Sequence, residues 1–213
     1  TMGGLSTGSG GGLFKAITGR SSPVVFRNSK FTNCVGKDGG AINCGDNVVL
    51  TVENCKFDGC SALGTHGGAI HLLDDSLISS CIFNGNSANE RGGAIYTIGA
   101  NADISNSIIS NNTAVVRGSA IYASTDVKIT NCTINGNSGG DSVVGSWGMP
   151  YHLVNNIFAN NTSGNHIVRG NSVPANLVTC LNNVFYNNIA PDGIYKSPYA
   201  TVDDINGADP AWS

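Results

Sequence analysis

The chain has 213 residues, with 11 Lys+Arg against 14 Asp+Glu, a formal charge of -3 and only 12% charged residues. This balance excludes a strongly basic nucleic-acid binder and an extreme acidic tail, and the scarcity of Leu, Glu, Lys, Gln and Met argues against a helical bundle. Polarity comes instead from 27 Asn, 22 Ser and 14 Thr beside 29 Gly, while a 40% hydrophobic share, regularly placed, argues against disorder.

In chain order, residues 1–25 read as an irregular lead-in, and the opening Thr1-Met2 as a processed product or an excerpt. No stretch has the form of a signal peptide or of the ~18 to 20 apolar residues of a membrane span. Gly8 to Gly12 is not a phosphate loop, since no Lys-Ser/Thr follows. The run reads as a flexible entry, or as a truncated half-coil Gly11-Gly12-Leu13-Phe14. Residues 26–195 then carry a repeat, which is the main signal. Its anchors are Phe31, Phe57, Phe83, Ile109, Ile134, Phe158 and Phe185, at spacings of 26, 26, 26, 25, 24 and 27. Residues 196–213 read as a C-terminal partial coil or cap, and the whole of 1–213 as a single domain.

Like residues recur in columns around each anchor. Five positions earlier stand Phe26, Val52, Ile78, Ile104, Ile129, Leu153 and Cys180, which with the anchors form inward apolar files. Two positions after the anchor stand Asn33, Gly59, Gly85, Asn111, Gly136, Asn160 and Asn187, residues that occupy φ > 0 cheaply and so mark a fixed corner. Three before it (Asn28, Asn54, Ser80, Asn106, Asn131, Asn155, Asn182) and three after it (Cys34, Cys60, Asn86, Asn112, Asn137, Asn161, Asn188) the columns read as ladders of stacked amides. A second apolar column holds Ile42, Ile70, Ile95 and Ile121, with Val144, Ile167 and Ile194 as less regular successors.

A unit of 24 to 27 residues without helix, punctuated by fixed corners, predicts one coil of about three short strands pairing in parallel with the next at ~4.8 Å. The fold class is all-β: a single-stranded right-handed parallel β-helix, or solenoid, of about seven to eight coils, its hand following the bias of parallel crossovers. A β-sandwich is the competitor, but sandwich strands do not repeat residue by residue.

The motifs GGAI (39–42, 67–70, 92–95) and FxxN (83–86, 158–161, 185–188) resemble the paired signature of chlamydial polymorphic outer membrane protein passengers and of adhesin-like surface proteins. The closing DINGADPAWS resembles the segment that follows the last coil in such repeats. The resemblance covers roughly residues 25 to 210 and implies a β-helix at an extracellular, cell-surface location. Cys34 and Cys60 depart from the FxxN asparagine, and no GGA motif follows residue 121.

Two readings fit the stacked cysteines: small buried side chains in an inward file, or cross-coil disulfides Cys34–Cys60 and Cys55–Cys81, whose Cα separation of ~4.8 Å suits a bridge. Cys44, Cys132 and Cys180 read as free and buried. No spacing suggests zinc or a calcium loop, and no cofactor is expected. Four sequons stand at Asn111, Asn131, Asn160 and Asn161, of which Asn131 is expected inward and Asn111 and Asn160 outward.

The acid doublets Asp74/Asp75 and Asp203/Asp204 read as loops, and no catalytic residue is assigned. Asp38, His66, Arg91 and Arg117 form a file before GGAI. His66, Arg91 and Arg117 read either as solvated outer-face residues or as contacts for an acidic glycan. The expected function is a non-catalytic extracellular scaffold, adhesin or filament subunit, with itself (head to tail) or surface glycans and proteins as partners. The alternative is a pectate-lyase-like lyase or hydrolase, or a glycan-binding module. Three or more acids and bases from consecutive coils on one face would favour an enzyme, and low charge without such a cluster a structural role.

Overall fold

The computed structural model describes residues 14–16, 23–46, 48–98, 101–147, 151–170, 179–193 and 195–196. Among them every regular element is a short β-strand, and all strand pairs are parallel across one turn. Sheet I stacks Val24–Arg27, Leu50–Glu53, Ser76–Ser79, Ala102–Ser105, Val127–Thr130, Tyr151–Val154 and Thr179–Leu181. Sheet II follows with Lys30–Thr32, Lys56–Asp58, Ile82–Asn84, Ile108–Ser110, Thr133–Asn135, Ile157–Ala159 and Val184–Tyr186. Sheet III has four two-residue strands, Val35–Gly36, Ser61–Ala62, Ser87–Ala88 and Thr113–Ala114. Sheet IV has eight, beginning with Phe14–Ala16 and Ile42–Cys44 and ending with Tyr195–Lys196.

The result is a right-handed parallel β-helix of about six turns bounded by seven rungs, slightly fewer than the seven to eight coils expected. Of the Gly-Gly-Leu-Phe segment only Phe14 is described, at the start of the strand Phe14–Ala16, in register with Ile42. The second apolar column drifts by one residue near its end: Val144 pairs with Val168 and Val168 with Tyr195, in place of Ile167 and Ile194. The Gly8 to Gly12 run, Asp203/Asp204 and the closing DINGADPAWS lie outside the described residues.

Each corner has its own chemistry. Asn33, Asn111, Asn160 and Asn187 stand at φ between 49° and 57° and Gly59, Gly85 and Gly136 at 65° or 66°, so the expected φ > 0 corner joins sheets II and III. The column three before the anchor is a second such corner rather than an inward ladder. Asn28, Asn54, Ser80, Asn106, Asn131, Asn155 and Asn182 have φ of 50° to 56° and join sheets I and II. The left-handed turn swings these side chains outward, so Asn131 is exposed. The third corner uses the two glycines of GGAI for different reasons. Gly67 and Gly92 have φ of 68° and 66°, whereas a Cβ on Gly68 or Gly93 would fall 1.9 or 2.0 Å from a carbonyl oxygen of the next coil.

The interior is a set of vertical files. Phe31, Phe57 and Phe83 stack with ring centroids 4.7 Å apart, and Phe158 on Phe185 at 4.8 Å. Offset stacking at this distance is favourable, and each buried ring adds about 1.5–3 kcal/mol of transfer free energy. Beside them runs the asparagine ladder. The Oδ1 of Asn112 accepts from both the main-chain N–H and the side-chain amide of Asn86 at 2.9 Å. Its Nδ2 donates to Asn137 Oδ1 at 2.9 Å and Phe83 O at 3.1 Å. Asn137, Asn161 and Asn188 continue this one-way chain.

A second inward ladder lies two positions before the anchor, where the small donors Cys55, Cys81, Ser107 and Cys132 give way to the amides Asn156 and Asn183. The N–H of Cys81 donates to Ser107 Oγ at 3.0 Å and that of Cys132 to Asn156 Oδ1 at 2.9 Å. The Cys132 thiol donates toward Ile104 O at 3.6 Å, the contact that Asn156 Nδ2 makes with Ile129 O at 2.8 Å. The cysteines are therefore thiol substitutes for ladder amides. No cysteine pair is bridged among the described residues, and the sulfurs of Cys55, Cys60, Cys81 and Cys132 point to backbone carbonyls. Burial pushes the thiol pKa of Cys44 and Cys60 up to about 12 and that of Cys81 and Cys132 to about 11.

Candidate functional site

With interior and corners committed to stacking, the outer faces of sheets I and IV hold the chemistry. On sheet IV the register aligns Asn43, His71, Tyr96, Tyr122, Gly145 and Arg169 in one file. The residues read from the sequence as glycan contacts converge here. The backbones of His66 and Arg91, and of Arg91 and Arg117, bridge in parallel. The His66 ring stacks on Tyr96 at 4.2 Å, and Tyr96 on Tyr122 at 5.6 Å. The Arg91 guanidinium lies 5.4 Å from the centre of the Tyr122 ring, and that of Arg117 5.2 Å from the Trp147 ring. Asp141 pairs with Arg117 at 3.1 Å and also with Arg169.

His66, Arg91, Arg117 and Arg169 are neither fully solvated nor fully paired. They are partly buried, and Arg91 Nε and Arg169 Nε have no hydrogen-bond partner among the described residues. Burial lowers the pKa of both histidines, that of His71 to about 4. Burial raises that of Tyr122, partly offset by Arg117 and Arg91. Asp38 sits at the start of this edge. Its burial is outweighed by the Thr65 hydroxyl and the Thr65 and His66 N–H groups, which hold its pKa below the usual carboxylate value.

Sheet I presents a different constellation, which the sequence analysis missed. A groove of about 460 Å³ is lined by Asp75, Asp103, Asp126, Lys128 and His152 beside Val49, Leu77 and Ala102. Lys128 Nζ lies 3.5 Å from Asp103, and His152 Nε2 3.6 Å from Asp126. Acids and bases of consecutive coils thus share one face. The available signal was register: Leu77, Asp103, Lys128 and His152 occupy one outward position, which shows only once the coils are aligned strand by strand. Of the Asp74/Asp75 doublet, Asp74 caps its own turn by accepting the Asp75 N–H at 2.8 Å, while Asp75 reaches the groove.

The sequons separate by corner. Asn111 and Asn160 are exposed, as expected, although each amide donates at 2.9 Å to an asparagine one coil back. Asn131 is exposed as well, whereas Asn161 is 0% exposed within the ladder, so its amide cannot carry a glycan in the folded chain. Among the described residues no three His, Cys, Asp or Glu side chains gather as a metal site, and no helix is long and apolar enough to cross a membrane.

No curated protein and no solved structure matches the chain. A family described as "Right handed beta helix region" matches residues 8–162 and 40–204, in keeping with the stacked coils above, and the chain belongs to that family.

Proposed function

We propose that this chain is a non-catalytic structural β-helix of the extracellular cell surface or of a surface appendage, acting as scaffold, adhesin or filament subunit. The observation that carries this reading is the commitment of interior and corner positions to rung-on-rung stacking. It yields a rod whose six rises of ~4.8 Å span about 29 Å. The GGAI and FxxN files are the glycine corner, phenylalanine stack and amide ladder of that rod, and their resemblance to surface passengers supports the location. A stack of parallel coils presents strand edges at top and bottom, and pairing of such edges between copies would extend it head to tail. The acids and bases that sheet I gathers from consecutive coils are the feature that favours the enzyme alternative; their pairing as Lys128–Asp103 and His152–Asp126 between neighbouring rungs, which relieves like-charge contacts along a file, supports the structural reading.

Electron microscopy and light scattering of the concentrated protein test assembly: rods or fibres are expected, and a strictly monomeric species contradicts it. Release of reducing ends or unsaturated sugars over a panel of polysaccharides tests the absence of catalysis. Turnover lost in Asp103→Asn or Lys128→Ala overturns the structural reading in favour of a lyase or hydrolase.

A second reading is favoured by the sheet IV edge: binding of an acidic glycan through Arg91, Arg117 and Arg169. Arg91 and Arg117 lie over aromatic rings, and with Arg169 they set three guanidiniums around the single carboxylate of Asp141, an excess of positive charge suited to an acidic chain. A uronate oligomer that binds the wild type, and binds Arg91→Ala more weakly, supports it. Equal binding by both removes it.

A further inference from the structure

The corner between sheets II and III carries reactive dipeptides. Three of its seven residues are glycines, Gly59, Gly85 and Gly136, and each follows an acid or an amide: Asp58, Asn84 and Asn135. Stacking requires two of these glycines, because a Cβ on Gly59 would fall 2.5 Å from Asn33 Oδ1 and one on Gly136 2.6 Å from Asn111 Oδ1. The repeat thus places Asn-Gly pairs at 84–85 and 135–136. In such a pair the glycine nitrogen, with no Cβ beside it, attacks the asparagine Cγ; the side-chain nitrogen leaves as ammonia and a succinimide ring forms. Water then opens either carbonyl of the ring. The product is aspartate, or isoaspartate, in which the chain runs through the side-chain carbonyl.

In the stacked coil both reacting groups are engaged with neighbouring rungs. The Gly85 N–H donates to Ser110 O and the Gly136 N–H to Ala159 O, each at 3.0 Å. The Asn84 amide donates to Asp58 Oδ1 at 3.0 Å, while its Oδ1 accepts from Ser110 Oγ at 3.1 Å and from Asn111 Nδ2 at 2.9 Å. Attack of Gly85 on Asn84 therefore requires the rung to open.

The two sites differ in what lies above and below them. Asn84 is the Cα partner of Asp58 and Ser110, and Asn135 that of Ser110 and Ala159. A carboxylate at 84 would set an oxygen where an N–H now stands 3.0 Å from Asp58 Oδ1, a repulsion that Lys56, 3.0 Å from Asp58 Oδ2, offsets in part. A carboxylate at 135 keeps the bond from Asn160 Nδ2 at 2.9 Å and meets no acid among its Cα partners.

We propose that Asn84 is a site of spontaneous deamidation that stacking holds off, and whose product weakens the corner when it closes again. The new carboxylate marks, in one direction only, the copies in which that rung has opened. Asn135 reacts by the same route without the repulsion.

Peptide mapping by mass spectrometry, in mildly alkaline buffer with and without urea, tests the protection. Asn84 and Asn135 convert at least about a hundredfold more slowly in the folded protein than in urea, and equal rates overturn the proposal. Asn206-Gly207, outside the described residues, is scored on its own peptide. Thermal unfolding at neutral pH tests the consequence. Asn84→Asp lowers the melting temperature, Asn135→Asp does so by about half as much or less, and adding Asp58→Asn to Asn84→Asp recovers the loss. Repulsion raises the carboxyl pKa of the folded pair, so the deficit of Asn84→Asp closes below about pH 4 and grows as pH rises. If Asn84→Asp alone does not fold, recovery of folding in the double variant carries the same test. No fall in Asn84→Asp, an equal or larger fall in Asn135→Asp, or no recovery in the double variant overturns the assignment of Asn84.

Discussion

Replacing Asn112 by alanine tests the ladder at an interior rung. Its side chain is fully buried, and it accepts two bonds from Asn86 and donates to Asn137 and Phe83. Truncation strips the Asn86 N–H of its ladder acceptor and the Phe83 carbonyl of its amide donor, while Asn86 Nδ2 keeps Phe57 O at 3.2 Å. At about 1–3 kcal/mol per buried group left unsatisfied, the loss is about 2–6 kcal/mol, a large part of a typical ~5–15 kcal/mol total. Cysteine at the same position should cost about half as much, because a thiol retains a weak donor. The same file already uses one at Cys60, whose sulfur lies 3.9 Å from Phe31 O. Guanidinium unfolding followed by circular dichroism gives the order wild type, then Asn112→Cys, then Asn112→Ala. An alanine variant within about 0.5 kcal/mol of wild type, or a cysteine variant less stable than alanine, refutes the reasoning.

Other outcomes follow from the same geometry. Gly68→Ala places a Cβ 1.9 Å from Gly93 O and should unfold the chain or cost more than about 3 kcal/mol, read as a fall in melting temperature. Phe57→Ala opens a gap between two stacked rings and should cost about 3–5 kcal/mol in the same assay. His71, with a folded pKa of about 4 against about 6.5 unfolded, stays neutral in the native state, so the unfolded state binds more protons between these values. Stability should therefore fall by on the order of 3 kcal/mol as pH drops from 7 to 4, and His71→Asn, copying Asn43 in the same file, should flatten that dependence. Native protein should leave Cys44, Cys60, Cys81 and Cys132 unreacted with a thiol reagent at pH 8, where burial keeps them protonated, and unfolding should release them.

The repeat made the fold legible because stacking forces each position to suit its own copy one coil above, so a corner shows as a column of Gly and Asn. Sidedness was harder to read. Asn131 and Asn161 look alike in sequence, yet a φ of 55° turns Asn131 outward while Asn161 lies in the buried ladder. The second ladder was hidden because Cys132 and Asn156 make the same cross-coil carbonyl contact with different atoms, while Ser107 turns to Ser105 O. The Arg91 and Arg117 file was visible as a column, but its aromatic partners lie on the neighbouring strand. The sheet I groove was invisible as a pattern, since its acids come from two different positions of the coil.

The most direct test of the account is a high-resolution crystal structure of the chain. Asn86, Asn112, Asn137 and Asn161 should stand in one buried line, each amide donating to the next coil at about 3 Å, with Asn131 outside it. A structure in which those four side chains face solvent, or in which neighbouring strands run antiparallel, contradicts it.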